Sequence, residues 1–300
     1  MRLMPRYGYT ICTKTPRPMR YKKLFAACCC FALLGACEKS PLNGDIANPP
    51  ELEIHGKIAL SDAASPEGIY VWMEDTPLST VTDRDGVFTL SLPPSASNSP
   101  VYANGVFNLY FYVANYKLIS TPVTVLEGKF LYSRGEVNGS GELIRTLFME
   151  KLLHIATQVD PPVVTSAYSA SISVLVTLRA LRDSVDVVFP KLVGGELGAI
   201  LFRNLETGQI IADGPEINSG ISLIKRIGNE AETFSFSFDL KRGILPVGRY
   251  EIIPYFFIEQ ARMPEGLLPS ISQKAEELGP DFLKIPFRRH GGLFAIQQME

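Results

Sequence analysis

The chain has 300 residues, 46% of them hydrophobic, with 29 Lys and Arg against 31 Asp and Glu. That is ample apolar material for a core and too balanced a charge for a nucleic-acid-binding protein. All five cysteines (Cys12, Cys28, Cys29, Cys30 and Cys37) lie at or before residue 37, which excludes a disulfide framework, a thiol nucleophile and a cysteine-ligated metal from the rest of the chain.

Residues 1–18 fit no part of an export signal, whereas Met19-Arg20-Tyr21-Lys22-Lys23 would open one, so Met19 is a candidate start. Arg20, Lys22 and Lys23 form a basic cluster, and residues 24–36 an apolar run of 13 residues. Such a run is too short to span a hydrocarbon core of about 30 Å but suits a removable leader. Inside it, the Cys28-Cys29-Cys30 run is apolar filler rather than a metal site. The run ends in Leu34-Gly35-Ala36-Cys37, which resembles the lipobox of bacterial lipoproteins. The resemblance implies a leader over residues 1–36 and a mature chain that begins at a lipid-modified Cys37 bearing three acyl chains, palmitate among them. It implies a bacterial envelope location, and Glu38, in place of a retaining Asp, leans toward the outer membrane. An ordinary signal peptide cut elsewhere is the competing reading.

Seven basic residues and no acids lie in residues 1–36, so the mature body has 22 basic and 31 acidic side chains, a balance of −9. This argues against nucleic acid and against electrostatic adhesion to anionic lipid. Residues 38–50 are polar and rich in turn-formers. With Cys37 and residue 51 they read as a tether, about 43 Å long if fully extended and about 20 Å as a coil.

From residue 52 the pattern is all β, in short period-two runs separated by Gly, Pro, Asn and Asp. Examples are Ile54-His55-Gly56-Lys57-Ile58-Ala59-Leu60, Phe88-Thr89-Leu90-Ser91-Leu92 and Phe234-Ser235-Phe236-Ser237-Phe238. The length suits two tandem β-sandwich domains. Asp160-Pro161-Pro162 is the expected break, which gives domains over 52–158 and 159–300. Residues 142–155 fit either a helix or a strand, with a strand favoured, and residues 272–278 are expected to form a short helix.

In the first domain, His55-Gly56-Lys57-Ile58, Gly68-Ile69-Tyr70-Val71 and Thr80-Val81-Thr82-Asp83-Arg84-Asp85-Gly86-Val87-Phe88-Thr89-Leu90 follow one another. This series resembles the carboxypeptidase regulatory-like domain, a transthyretin-like β-sandwich that serves as an accessory module. Leu109 to Tyr116 stands where the family has a strand that ends in Gly-Tyr, except that Asn115 replaces the Gly, and residues 93–107 form a long loop. Independently of the family, Asp83-Arg84-Asp85-Gly86 reads as a tight turn that fixes a hairpin. A calcium loop there would need oxygen ligands where Val81 and Leu92 stand.

In the second domain, residues 171–188 read as two strands about a turn at Arg182-Asp183, and Asn204-Leu205-Glu206-Thr207-Gly208 as a hairpin turn. A loop over 243–248 joins the next two strands. Gly248-Arg249-Tyr250 is similar to the tyrosine corner of immunoglobulin-like sandwiches, where the hydroxyl bonds back to the backbone. Residues 282–296 would add a hairpin or packing arm.

The chemistry available is sparse. His55, His154 and His290 have no metal-ligand spacing, and no nucleophile elbow, P-loop or dinucleotide fingerprint occurs. His290, between Arg288-Arg289 and Gly291-Gly292, reads as a solvated turn. No enzyme, cofactor or metal is expected. Tyr110 and Tyr112 share a strand face, with Tyr116 nearby, and could stack on sugar rings; Phe234, Phe236 and Phe238 read as a core stripe. The expected role is structural or protein-binding, at a membrane reached through the lipid anchor. The alternative is an adhesive or polysaccharide-binding surface lipoprotein.

Overall fold

The computed structural model describes residues 51–94, 96–102, 104–190, 197–213, 222–240 and 245–299. The leader, Cys37 and the tether through residue 50 lie outside the described residues. From residue 53 the period-two runs become strands: β1 (Glu53–Leu60), β2 (Tyr70–Met73), β3 (Ser79–Val81), β4 (Val87–Ser91), β5 (Gly105–Tyr112), β6 (Ile119–Leu126), β7 (Lys129–Phe130) and β8 (Leu147–Met149). They form a three-stranded sheet, β4-β1-β8, facing a five-stranded sheet, β3-β2-β5-β6-β7. Alternation in β1 and β4 turns Ile54, Ile58, Phe88 and Leu90 inward against Val71, Leu109, Phe111 and Val123. Phe88 and Phe111 meet edge-on at 5.5 Å.

The acidic turn forms as its residues require. Asp83 Oδ1 accepts from the amides of Asp85 at 2.9 Å and Val87 at 2.8 Å. Gly86 takes a φ of +78°, where a Cβ would lie 2.1 Å from the Ile58 carbonyl oxygen. The expected hairpin does not form, however: β3 pairs with β2, and β4 pairs with β1. The turn passes the chain from one sheet to the other. Its local chemistry is the same in either case, because an Asx turn specifies the reversal and not the partner strand.

The second sandwich comprises β9 (Leu153–Asp160), β10 (Val163–Thr165), β11 (Ile172–Ala180), β12 (Val185–Phe189), β13 (Ile200–Asn204), β14 (Ile210–Asp213), β15 (Leu223–Ile227), β16 (Glu232–Phe238), β17 (Gly248–Pro254), β18 (Phe257–Ile258), β19 (His290–Gly291) and β20 (Leu293–Gln297). Sheets β16-β11-β9-β19 and β10-β20-β17-β13-β14, with a smaller β15-β12-β18, enclose one core. Phe234 and Phe238 are buried in it, and Phe236 packs against it. Asn204 Oδ1 accepts from the amides of Glu206 and Thr207, closing the expected β13–β14 turn. The Tyr250 hydroxyl donates to the Pro246 carbonyl at 2.7 Å, the bond a tyrosine corner makes. Part of the loop before it, residues 243 and 244, lies outside the described residues.

Three expectations change. The first sandwich ends at Met149, because residues 153–160 pair with β11 along their whole length. Asp160-Pro161-Pro162 is thus a corner between β9 and β10 rather than the break between domains. Prolines stop pairing at a corner as well as in a linker, so composition could not separate the two. The two strands expected about Arg182-Asp183 do form, as β11 and β12, and they belong to different sheets. The helix α1 (Leu267–Ile271) precedes residues 272–278, because Leu267 and Leu268 are the apolar pair that a helical turn can bury here. Finally, β19 and β20 do not pair with each other: β19 lies parallel to β9, and β20 sits between β10 and β17. Gly291 permits the crossing, since a Cβ there would lie 2.0 Å from the Thr157 carbonyl oxygen.

A third core joins the two sandwiches. Tyr70, Trp72 and Tyr112, on the outer face of the β2 and β5 sheet, are buried with Leu201 and Ile253 from the outer face of β13 and β17. Leu267, Leu268, Phe282 and Ile285 complete it. The sandwiches are therefore fused and not strung on a linker; the described residues fall within one compact unit. Gly86→Ala should lower stability by about 3 kcal/mol through backbone strain and the clash with Ile58, read as a shifted urea midpoint at unchanged slope.

Candidate functional site

Where the sandwiches meet, Asn115 is fully buried in the connection between β5 and β6. Its Nδ2 donates to the carbonyls of Leu153 at 3.0 Å and Arg288 at 2.9 Å, and its Oδ1 accepts from the Arg288 amide at 3.0 Å. One amide thus ties the first sandwich both to the start of β9 and to the C-terminal arm. Gln260, just after β18, does the same from the other side. It accepts from the Leu118 amide at 2.7 Å and donates to the carbonyls of Ala114 and Tyr116, both at 2.9 Å.

Beneath this lies a charged cluster. Lys151, 6% exposed, donates to Asp62 at 2.8 Å, and the Tyr116 hydroxyl donates to the other carboxylate oxygen at 2.8 Å. Burial would raise the Asp62 carboxyl, but the bonds from Lys151 and Tyr116 outweigh it and hold the group below the usual range. Burial, together with Asp62, pushes the Tyr116 hydroxyl up. Tyr116 is therefore a neutral donor and not an acid-base group near neutral pH.

Above the cluster, a cleft of about 770 Å³ opens between the sandwiches. Its walls are the β5–β6 connection, residues 150–152, the β11–β12 corner and residues 259–262. Several lining charges are already engaged. Arg182 pairs with Glu150, and Arg226 holds Asp186 through two bonds of 2.9 and 2.8 Å. Lys117, Arg262, Asp183 and Glu259 line it with no ion pair among the described residues. The cleft thus presents both signs of charge on walls fixed by Asn115 and Gln260.

The tyrosine platform is corrected by the fold. Tyr112 is 3% exposed and Tyr116 fully buried, so neither ring face is available to a sugar. Tyr112 is covered by the third core, and Tyr116 faces the first core because the turn at Asn115 reverses strand parity. Tyr110 is half-buried, stacks on Trp72 at 6.1 Å and forms one edge of the cleft. Cys37 lies outside the described residues. His55 is engaged by Thr89 at 2.9 Å, with Glu53 at 3.6 Å. His154 and His290 stack at 5.4 Å. The segment around His290 is no solvated turn, although His290 itself is exposed. Arg288 bonds the carbonyls of Ser65 and Glu67, and Arg289 lies 4.2 Å over the Phe287 ring. Nε and Nη2 of Arg289 are buried without a hydrogen-bond partner, and burial pushes the guanidinium down to about 10. Sequence reasoning missed Gln260, Lys151 and Asp62. Their partners are backbone atoms or lie up to 146 positions away, and no local spacing records that.

No family model matches the chain, and no curated protein matches it. Among solved structures it is similar to a type II cohesin–X-dockerin complex from Acetivibrio cellulolyticus, at 17% identity over 34% of this chain and 58% of that one, with a TM-score of 0.23. It is also similar to AggA, the major subunit of aggregative adherence fimbriae type I from Escherichia coli, at 15% identity over 33% of this chain and 77% of that one, TM-score 0.23. The major pilin subunit of Bacillus cereus aligns at 9% identity over 69% of this chain and 66% of that one, TM-score 0.24. At these TM-scores nothing about fold, activity or partners follows from the likenesses.

Asn115→Ala should cost about 3 kcal/mol, because three buried backbone groups lose their partner together; a loss within about 0.5 kcal/mol would show that the junction does not depend on it. A second expectation concerns pH. Burial, followed by the charges of Lys151, His290 and Arg179, holds the His154 imidazole below its usual range, with Asp62 partly opposing. The unfolded chain then binds a proton the folded chain resists, so stability falls as pH drops below about 6.5 toward the folded value. Asp62 contributes nothing in that window, since its loss begins only near the carboxylate range. Urea midpoints from about pH 7 to about pH 5 should therefore fall more steeply in the parent than in His154→Gln.

Proposed function

We propose that the chain is a lipid-anchored protein of the bacterial envelope with a non-enzymatic, protein-binding role. It would be tethered by Cys37 to a membrane, the outer one by the lean at Glu38. Its first sandwich would be a carboxypeptidase regulatory-like module and its second an immunoglobulin-like one. The anchor rests on the basic cluster, the apolar run and Leu34-Gly35-Ala36-Cys37, in that order and spacing.

The binding role rests on the cleft. A small-molecule site is mostly apolar, with a few convergent polar groups. Here Lys117, Arg262, Asp183 and Glu259 offer charge of both signs across a wide opening. That suits a polypeptide segment whose own side chains complement both. The ion pair of Lys151 with Asp62 and the raised Tyr116 hydroxyl support the non-enzymatic part, because neither Asp62 nor Tyr116 is poised to exchange a proton near neutral pH.

Two measurements test this. Replacing Ser184 in the cleft by a photocrosslinking residue should yield a discrete heavier species in native envelopes, severalfold weaker with Lys117→Glu and Arg262→Glu combined. The same probe at Thr89 should yield none; an equal product at Thr89, or none at Ser184, would overturn the assignment of the cleft. Cys37→Ser should leave the membrane fraction, and unchanged partitioning would remove the anchor from the proposal.

A further inference from the structure

The end of the first sandwich at which the described chain begins is distinct from the rest of the surface. Glu51 lies there, its carbonyl accepting from the Phe130 amide at 2.6 Å and its carboxylate meeting Lys129 at 3.3 Å. The β6–β7 turn packs on the same end, for a Cβ on Gly128 would fall 2.2 Å from the Ser97 amide nitrogen. Glu127 is held there by Asn104, whose side chain accepts from its amide at 2.6 Å. Two apolar side chains project from this end on the outer face of the sheet: Val106, 69% exposed, and Leu126, 46% exposed. Val106 stands opposite Thr124, so Leu126 is its diagonal neighbour on the same face. Val101, 42% exposed, lies in the loop leading into β5.

Exposure alone does not single these residues out, since Phe148 and Leu293 are 68% and 64% exposed. Position does. Phe148 pairs beside Ala59, six residues along β1 from Glu53, or about 20 Å away at strand rise. Only 13 residues, 38–50, separate Cys37 from Glu51, which allows about 43 Å fully stretched and about 20 Å as a coil. A tether that short keeps the end carrying Val106 and Leu126 within reach of the surface that holds the lipid.

We propose that this end of the first sandwich rests on the lipid bilayer, with Val106 and Leu126 inserted at its interface. The proposal builds on the anchor at Cys37. Its chemistry is apolar contact, because the charges nearby, Glu51, Glu127 and Lys129, give no excess of positive charge to draw an anionic headgroup. Side chains of this kind enter the headgroup–acyl boundary in proportion to buried apolar area, and tethering removes the cost of finding the surface. The docked state should accordingly be insensitive to added salt.

The test uses the full, processed and acylated chain. Since no cysteine follows residue 37, single Val106→Cys, Leu126→Cys, Phe148→Cys and Leu293→Cys variants can each carry one thiol-reactive fluorophore. Each is reconstituted in phosphatidylethanolamine–phosphatidylglycerol vesicles with and without a doxyl-labelled lipid. Quenching at 106 and 126 is expected to exceed that at 148 and 293 by roughly threefold or more, at low and high salt alike. Equal quenching at the four positions, or stronger quenching at 148 or 293, overturns the orientation. Intact mass of the N-terminus and vesicle flotation read the anchor separately. A chain that is acylated and floats but shows no positional difference loses the orientation alone, whereas an unacylated chain that does not float removes both.

Discussion

The arrangement of this protein depends on one buried amide. Asn115 has no exposed surface, yet its side chain satisfies three backbone groups that come from two different segments of the second sandwich. A buried carbonyl or amide left without a partner costs about 1–3 kcal/mol, so the three are strongly coupled. Backbone bonds reinforce the knot, with the Leu152 amide donating to the Asn115 carbonyl at 3.0 Å and the Ala114 amide to Pro286 at 2.8 Å. Asn115 effectively substitutes for a short strand between sheets that cannot pair directly. Glycine at this position would permit the turn and supply none of these bonds.

The knot explains why the aromatic face closes. Once β9 and the C-terminal arm are fixed beside the β5–β6 connection, residues 263–287 lie across the outer face of the first sandwich. Tyr70 donates to the Ser270 carbonyl at 3.0 Å, and Trp72 to Thr76 at 2.8 Å, so the polar tips of these rings are satisfied within the covered face. Burying a large side chain contributes about 1.5–3 kcal/mol, and Tyr70, Trp72 and Tyr112 do so together. A surface that could have bound a ligand is instead the joint between two domains.

Much of this was legible in the residues and some was not, for reasons that differ from case to case. Alternation placed Phe88, Leu90, Phe234 and Phe238 in cores correctly, because period two directly reports which face is buried. Asp83 and Gly86 announced a turn, and Tyr250 a corner bond, because each motif completes itself within four residues. Tyr110 and Tyr112 were rightly placed on one face, but alternation says only that a face is amphipathic and nothing about what covers it. The covering segment comes from residues some 150 positions later, including Leu267 and Phe282. The cleft escaped for the same reason: its charges come from four separate connections, and Gln260 is an unremarkable polar residue until its three backbone partners are in place.

Strands β5 and β6 link the exposed apolar end of the first sandwich to the cleft. Val106 and Leu126 stand at one end of this pair, and Lys117, Leu118 and Ile119 enter the cleft at the other. From Ile119 to Leu126 the strand rises about 23 Å. With the apolar end against the bilayer, the cleft opens on the far side of the sandwich, clear of the headgroups. Its walls cannot readily tilt toward the membrane, because Gln260 and Asn115 hold the second sandwich to the connection between these same strands. In the proposed arrangement a short tether and the junction at Asn115 and Gln260 would act together: the first would set which end faces lipid, and the second would carry that orientation through to the cleft.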